Sequence, residues 1–211
     1  MCLIKQRANN PEQKALRRQQ ILQATRKRFE SVPFEDVNLN HIAADIGITK
    51  AALYRYFRNK ETLFLALFVE SLEELIQHSE TDTQQDSLAD TICNALISQP
   101  LYCKLSAILH TILERNLTYE EAHEFKHTLL ALMGQFAGSI LEHPDGKHYQ
   151  PEQAIDLLMT IQESVIGVWH MTHPAGAIAE VLQQPAMQLF NRSFDDSLRA
   201  HIRLLVCHQD V

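Results

Sequence analysis

Two histidines four residues apart with a glutamate between them, His123-Glu124-Phe125-Lys126-His127, spell H-E-x-x-H. On a helix this spacing brings both imidazoles to one face, where they ligate zinc while the glutamate acts as base in hydrolysis. The neighbouring residues argue for something plainer. Thr118 and Glu121 have the spacing of a capping box, so a helix starts about one turn before the motif. At 100° per residue, Phe125, Leu129, Leu132 and Phe136 form its apolar stripe, and His123 and His127 project from nearly the opposite side, near Glu120. A zinc hydrolase needs its histidines in a sheltered cleft, with a third ligand and groups that orient the rings. Residues 128–132 continue without the Gly and His of the extended protease pattern, leaving only the distant Glu142, Glu152 or Glu163 as third ligands. The pair is read as a solvated helix face, with metal binding by the two histidines as the alternative. No catalytic site, metal or cofactor is expected.

A second set of chemistry-bearing residues lies in the basic first quarter. Residues 1–60 carry twelve Lys or Arg against five Asp or Glu, a net +7, while the whole chain is −7 and the remainder therefore −14. A basic head on an acidic body fits a nucleic-acid-binding module joined to a domain that does not bind nucleic acid. Cys2, Cys93, Cys103 and Cys207 form no CxxC pair, which favours a reduced, cytoplasmic chain. A redox-sensing reading would rest on Cys93 and Cys103; inert buried thiols are the simpler one. No apolar run is long enough to cross a bilayer, and the first ten residues are too polar for a signal peptide.

The elements that must position these residues all read as helices. With 6 Gly and 7 Pro, several near apparent helix ends, and 45% hydrophobic residues in 211, the chain is expected to be all-α with about nine helices. Asn10 and Pro11 start a helix over 11–31. Asn38 caps a short one that stops at Gly47, and Thr49 starts the next. Asn59 caps a long amphipathic helix ending near 79. A polar joint, TDTQQD, follows, and further helices are expected over 85–98, 101–115, 118–142, 151–172 and 192–208. The expected organisation is a DNA-binding head over 1–58, a connecting helix over 59–80 and a helical body over 81–211.

Residues 38–57, NLNHIAADIGITKAALYRYF, have the pattern of a helix-turn-helix. Gly47 makes the turn, Ala43 leaves room where the helices cross, and Ile42, Ile46, Ile48 and Leu53 fill the small core. The run ITKAALYRYFRNKETLF closely resembles the segment shared by the tetracycline-repressor (TetR) family of bacterial transcription regulators. The matching residues are Thr49, Lys50, Ala51, Leu53, Tyr54, Tyr56, Phe57, Lys60, Glu61, Leu63 and Phe64, and Ile21, Ala24 and Phe29 fit that family's first helix. Ala51 stands where Gly is more usual and Asn38 where Ser or Thr usually caps. SVPF replaces a Gly-aromatic corner.

Phosphate contacts are expected from the Tyr54 and Tyr56 hydroxyls, from Lys60, from Asn38 and Thr49 at helix starts, and from Arg17 and Arg18, with Arg55 and Arg58 as electrostatic support. Base reading is expected from Thr49, Lys50, Ala52 and Tyr54 on the exposed side of the second short helix. The resemblance implies a ligand-responsive repressor that binds a palindromic double-stranded DNA operator as a homodimer. It places the dimer contact on the last two long helices, here with Ile155, Leu158, Ile161, Val165, Val168 and Trp169, and with Leu198, Ile202, Leu205 and Val206. It further implies a cavity for an apolar or amphipathic effector, for which Tyr102, Leu105, Leu109, His110, Phe125, Met133, Phe136, Trp169 and His173 are the candidate lining.

Overall fold

In the computed structural model, residues 10–81 and 86–207 are described, and among them there are ten α-helices and no strand. Cys2, residues 82–85 of the polar joint and the final residue of the expected 192–208 helix lie outside the described residues.

α1 (Pro11–Ser31) begins as its sequence dictates: the Asn10 side chain accepts from the Gln13 N–H at 2.7 Å, and Pro11 occupies the first helical position. A single 3₁₀ turn, Phe34–Asp36, carries the chain to α2 (Leu39–Asp45), capped by Asn38. α3 (Lys50–Leu53) is shorter than its apolar pattern suggests, and the chain continues from it in turns. α4 (Lys60–Thr81) then runs through both halves of the molecule. At one end Phe64 takes the edges of Phe29 and Phe34, with ring centroids 5.0 and 4.8 Å away. One turn further on, Phe68 meets Tyr102 and Phe125 of the body.

The body is built from α5 (Leu88–Ser98), α6 (Pro100–Ile108), α7 (Tyr119–Glu142), α8 (Pro151–Thr172), α9 (Gly176–Val181) and α10 (Phe194–Cys207). α5 and α6 meet at 81°, where Pro100 ends one helix and starts the next. α6 runs on into a π-helical turn, Leu109–Leu113. α8 packs against α6, α7 and α10, and α10 also covers α5. Among the described residues no single helix is long and apolar enough to cross a membrane; the bent α5–α6 pair reaches that composition because it is core.

α9 is the element that hydrophobic periodicity missed, since six residues are too few to show a 3.6-residue period. Together with the 3₁₀ turn Pro185–Phe190 it forms an excursion between α8 and α10 that leaves Ile178, Val181, Leu189 and Phe190 exposed.

Candidate nucleic-acid interface and the cavity behind it

The turn between α2 and α3 is a Schellman motif. Gly47 N–H donates to Ala44 O at 3.1 Å and Ile48 N–H to Ala43 O at 2.9 Å, with Gly47 at φ +69°. These bonds satisfy the last carbonyls of α2 and turn the chain sharply, in the left-handed conformation that glycine adopts without strain. Thr49 then caps α3, its hydroxyl accepting from Ala52 N–H at 3.1 Å. Leu53 is 0% exposed and Phe57 is buried, so both anchor α3 to the core. The opposite side therefore points outward: Thr49, Lys50 and Arg55 are exposed, Tyr54 is 42% exposed, and Ala52 and Tyr56 are half-buried at the edge. Lys50 Nζ lies 5.7 Å from the Tyr54 ring centroid, so hydroxyl and ammonium share one patch.

Several expected contact residues have other partners. Arg17 is 3% exposed and its Nη1 donates to Ile46 O at 3.4 Å, so it closes the C-terminus of α2 rather than facing outward. Adjacent helical residues point about 100° apart, and here the turn from Arg17 to Arg18 crosses from the buried side to the exposed one. The Arg18 guanidinium lies 5.4 Å from the Phe57 ring centroid. Lys60 Nζ donates to Glu35 O at 3.2 Å and sits 4.2 Å from the Phe34 ring centroid, and burial lowers its pKa. Asn38 is exposed with its side chain engaged as the cap of α2. Arg28 is paired bidentately with Asp45, and Arg26 with Glu70 and Glu74. Much of the basic excess thus ties the head together.

Two clamps join head and body. Arg58, after α3, makes two bonds of 2.7 and 2.6 Å to Glu121 and one of 2.8 Å to Asn116 O. Lys104 on α6 donates to Phe29 O and Val32 O, the last carbonyls of α1, with its Nζ 4.2 Å from the Phe29 ring centroid. Neither clamp is legible in a sequence, since each joins residues 58 or more positions apart.

Behind the head, α4–α8 enclose a cavity of about 270 Å³ with mostly apolar walls. Tyr102, Leu109, His110, Met133 and Phe136 line it. Leu105 is buried elsewhere in the core, and Phe125 packs against Phe68. Trp169 and His173 stack at 3.8 Å against Phe194, joining the end of α8 to the start of α10 outside the cavity. Leu158 and Ile161, expected at a dimer contact, line the cavity instead. Val165, Leu198 and Ile202 are fully buried within the chain, and Leu205 is half-buried. The most buried stripes of α8 and α10 serve this chain's own core, and periodicity alone does not distinguish core from interface. The outward faces form a groove lined by Thr160, Glu163, Gly167, Met171, Ala200 and His201. Near the cavity, Glu114 accepts from Lys126 at 2.7 Å and lies 3.1 Å from His110 Nδ1. Burial opposes ionisation there, but these two partners hold the carboxyl below its usual range.

His123 and His127 stand exposed on α7 with Nε2 atoms 3.1 Å apart, opposite buried Phe125 and Phe136. Among the described residues no three His, Cys, Asp or Glu gather to hold a metal. Cys93 and Cys103 are buried, and burial raises their thiol pKa values to about 11 and about 12.

Two family profiles match the chain. One, for bacterial regulatory proteins of the tetR family, covers residues 21–67; the other, a tetracyclin repressor-like C-terminal domain, covers 64–207. The nucleoid occlusion factor SlmA of Idiomarina loihiensis is 33% identical over 107 residues, 50% of this chain and 49% of that protein. The matched stretch thus spans about half that relative's length. The protein of the same name from Shewanella amazonensis is 23% identical over 200 residues, covering 88% and 92%. Among solved structures, the fatty acid degradation regulator FadR of Bacillus halodurans aligns with a TM-score of 0.56 at 15% identity, covering 95% of this chain and 97% of that one. FadR of Bacillus subtilis in complex with stearoyl-CoA aligns at 0.55 and 19% identity, covering 89% and 97%. At these identities the structural likeness concerns the fold.

Proposed function

The chain belongs to the TetR family of bacterial DNA-binding regulators, and we propose that it is a repressor that grips a palindromic operator as a homodimer and releases it when an apolar effector enters the cavity. The observation that carries the DNA-binding role is α3: Leu53 and Phe57 lock it from beneath while Thr49, Lys50 and Tyr54 stand outward on a four-residue helix small enough for a major groove. In this reading residues 1–58 hold DNA, 59–80 transmit, and 81–211 sense and dimerise. Thr49, Lys50, Ala52 and Tyr54 read bases, while Asn38, Tyr56 and Arg18 meet phosphates. Lys60 acts through the Phe34–Asp36 turn it holds, and Arg17 by fixing the end of α2.

One head reads only a few base pairs, so a two-fold pair reading two half-sites about 34–36 Å apart supplies the needed affinity. The outward faces of α8 and α10, with Gly167, Met171, Ala200 and His201, and the exposed apolar excursion after α8 are the surfaces proposed to meet the second copy. The effector acts through the clamps: displacement of α6 or α7 pulls on α1 through Lys104 and on the α3–α4 turn through Arg58. The stearoyl-CoA held by the Bacillus subtilis protein supports an effector with an apolar part.

Gel-shift with genomic fragments tests the reading. Specific complexes should form and weaken steeply as salt rises. Tyr54→Ala and Lys50→Ala should weaken them without changing the unfolding midpoint. A folded protein with no sequence-selective binding refutes the proposal.

The similarity over 200 residues to a nucleoid occlusion factor favours a second reading, in which the DNA-bound protein acts in nucleoid occlusion rather than on transcription. A deletion strain with unchanged transcripts but septa formed across nucleoids would select it.

A further inference from the structure

The cavity walls are mostly apolar; apart from His110 and Lys126, the polar side chains lining it are Tyr102 and Gln162. Tyr102 of α6 donates its hydroxyl proton to Gln162 Oε1 of α8 at 2.5 Å. The other end of that amide, Gln162 Nε2, is buried in the cavity wall and has no hydrogen-bond partner. A buried N–H donor without an acceptor is costly, and in native proteins it calls for an explanation. We infer that the cavity is built for a compact, uncharged, apolar effector with one hydrogen-bond-accepting oxygen, a ketone, ester or lactone carbonyl, which takes the Gln162 Nε2 proton. This rests on the effector-binding role proposed above and specifies its chemistry.

Three observations narrow the class. The Tyr102 proton is already engaged, so the free Gln162 donor looks for an acceptor rather than another donor. The ammonium of Lys126, the cationic group in the lining, is held by Glu114 at 2.7 Å, so a carboxylate entering the cavity meets an already neutralised cation and a desolvation cost. The volume sets the size: at about 30 Å³ for a water-sized group in a liquid, some 270 Å³ holds about nine non-hydrogen atoms. A molecule of that size is a single substituted ring or a short chain. Recognition at this place also has a route to the head, because Tyr102 lies two residues before Lys104, which holds the end of α1.

Three near-isosteric probes of about nine non-hydrogen atoms test the inference by calorimetry on the full chain: acetophenone, benzoate and α-methylstyrene. Acetophenone should bind about fivefold or more tightly than α-methylstyrene, the worth of one neutral hydrogen bond, and benzoate should bind most weakly. In Gln162→Leu the ketone-over-alkene preference should vanish while α-methylstyrene still binds, which also shows that the cavity is intact. If that variant fails to fold, Gln162→Met, closer in length, carries the same expectation. Benzoate binding more tightly than acetophenone, an unchanged preference in the variant, or no binding of any probe at its solubility limit overturns the inference. Operator binding is measured separately without probe. A DNA-binding protein lacking the ketone preference refutes this inference alone, and a ketone-selective protein that binds no DNA refutes the regulator reading alone.

Discussion

Replacing Lys104 by Met removes an ammonium from the end of α1 and keeps most of its stem. The lost interactions are specific: two hydrogen bonds, to Phe29 O and Val32 O, and the approach to the Phe29 ring at 4.2 Å. A hydrogen bond from a charged donor contributes about 1.5–3 kcal/mol when buried, and a cation over an aromatic face about 0.5–1 kcal/mol at an exposed site. Lys104 is half-buried and burial depresses its pKa, so part of that gain already offsets the loss of water around the charge. The methionine side chain preserves apolar contact, and the two carbonyls regain some solvation. The net expectation is a loss of about 1–2 kcal/mol, read as a lower urea midpoint at unchanged slope and a fall of about 2–4 °C in Tm per kcal/mol for a chain of this size. A double-mutant cycle with Phe29→Leu isolates the ring contact, because the Phe29 carbonyl survives that change; its coupling energy should be about 0.5–1 kcal/mol. A second readout follows from the clamp's place between body and head. The variant should hold operator DNA but respond less to a cavity ligand. A loss under about 0.5 kcal/mol with full ligand response would show that the contact neither supports the fold nor transmits anything.

Gly47→Ala should cost about 1–2 kcal/mol, measured by urea unfolding, because its φ of +69° strains an L-residue, whereas a Cβ there would meet nothing within 4 Å. A larger loss would mean a clash. The carboxyls of Asp45 and Glu121 are held below their usual range, chiefly by hydrogen bonds from Arg28 and Arg58. Their folded pKa values are depressed, so their contribution is complete above the unfolded values of about 4 and is lost as pH falls through the folded ones. Arg58→Gln should therefore flatten the acid limb of the stability–pH curve, and an unchanged limb would discount the clamp. Cys93 and Cys103, buried with thiols pushed up to about 11 and about 12, should resist a maleimide at pH 7 until the protein unfolds, while exposed Cys207 reacts at once. Labelling of either buried thiol in the native protein would reopen a sensing role.

Local chemistry was readable. Asn10, Asn38, Thr49 and Thr118 cap the helices their types and spacings announce, and Gly47 sits in the left-handed turn demanded by its place between two short helices. The exposed side of α3 followed from Leu53 and Phe57 needing a core. The solvated face of α7 followed from Phe125 and Phe136. What resisted were pairings set by tertiary packing. Arg17 and Arg18 are identical letters with opposite fates, decided by where the end of α2 lands. Lys60 and Arg58 looked like groove cations but found a carbonyl and a carboxylate. Leu158 and Ile161 share a stripe with Val165, yet the first two line a cavity and the third is sealed in the core. Gln162 carried no sequence signal, because its role depends on the Tyr102 hydroxyl sixty residues away.

Glu121 serves two masters. One of its oxygens accepts the Thr118 N–H that begins α7, and the same carboxylate grips Arg58 of the head. The onset of α7 and the seating of the head therefore share one carboxylate, and the two should open together. Amide hydrogens in the first turn of α7 should exchange with solvent in step with those flanking Arg58, and DNA that steadies the head should slow exchange in a helix it never touches. Fraying at that one turn would be the first sign, in time, that the head has let go.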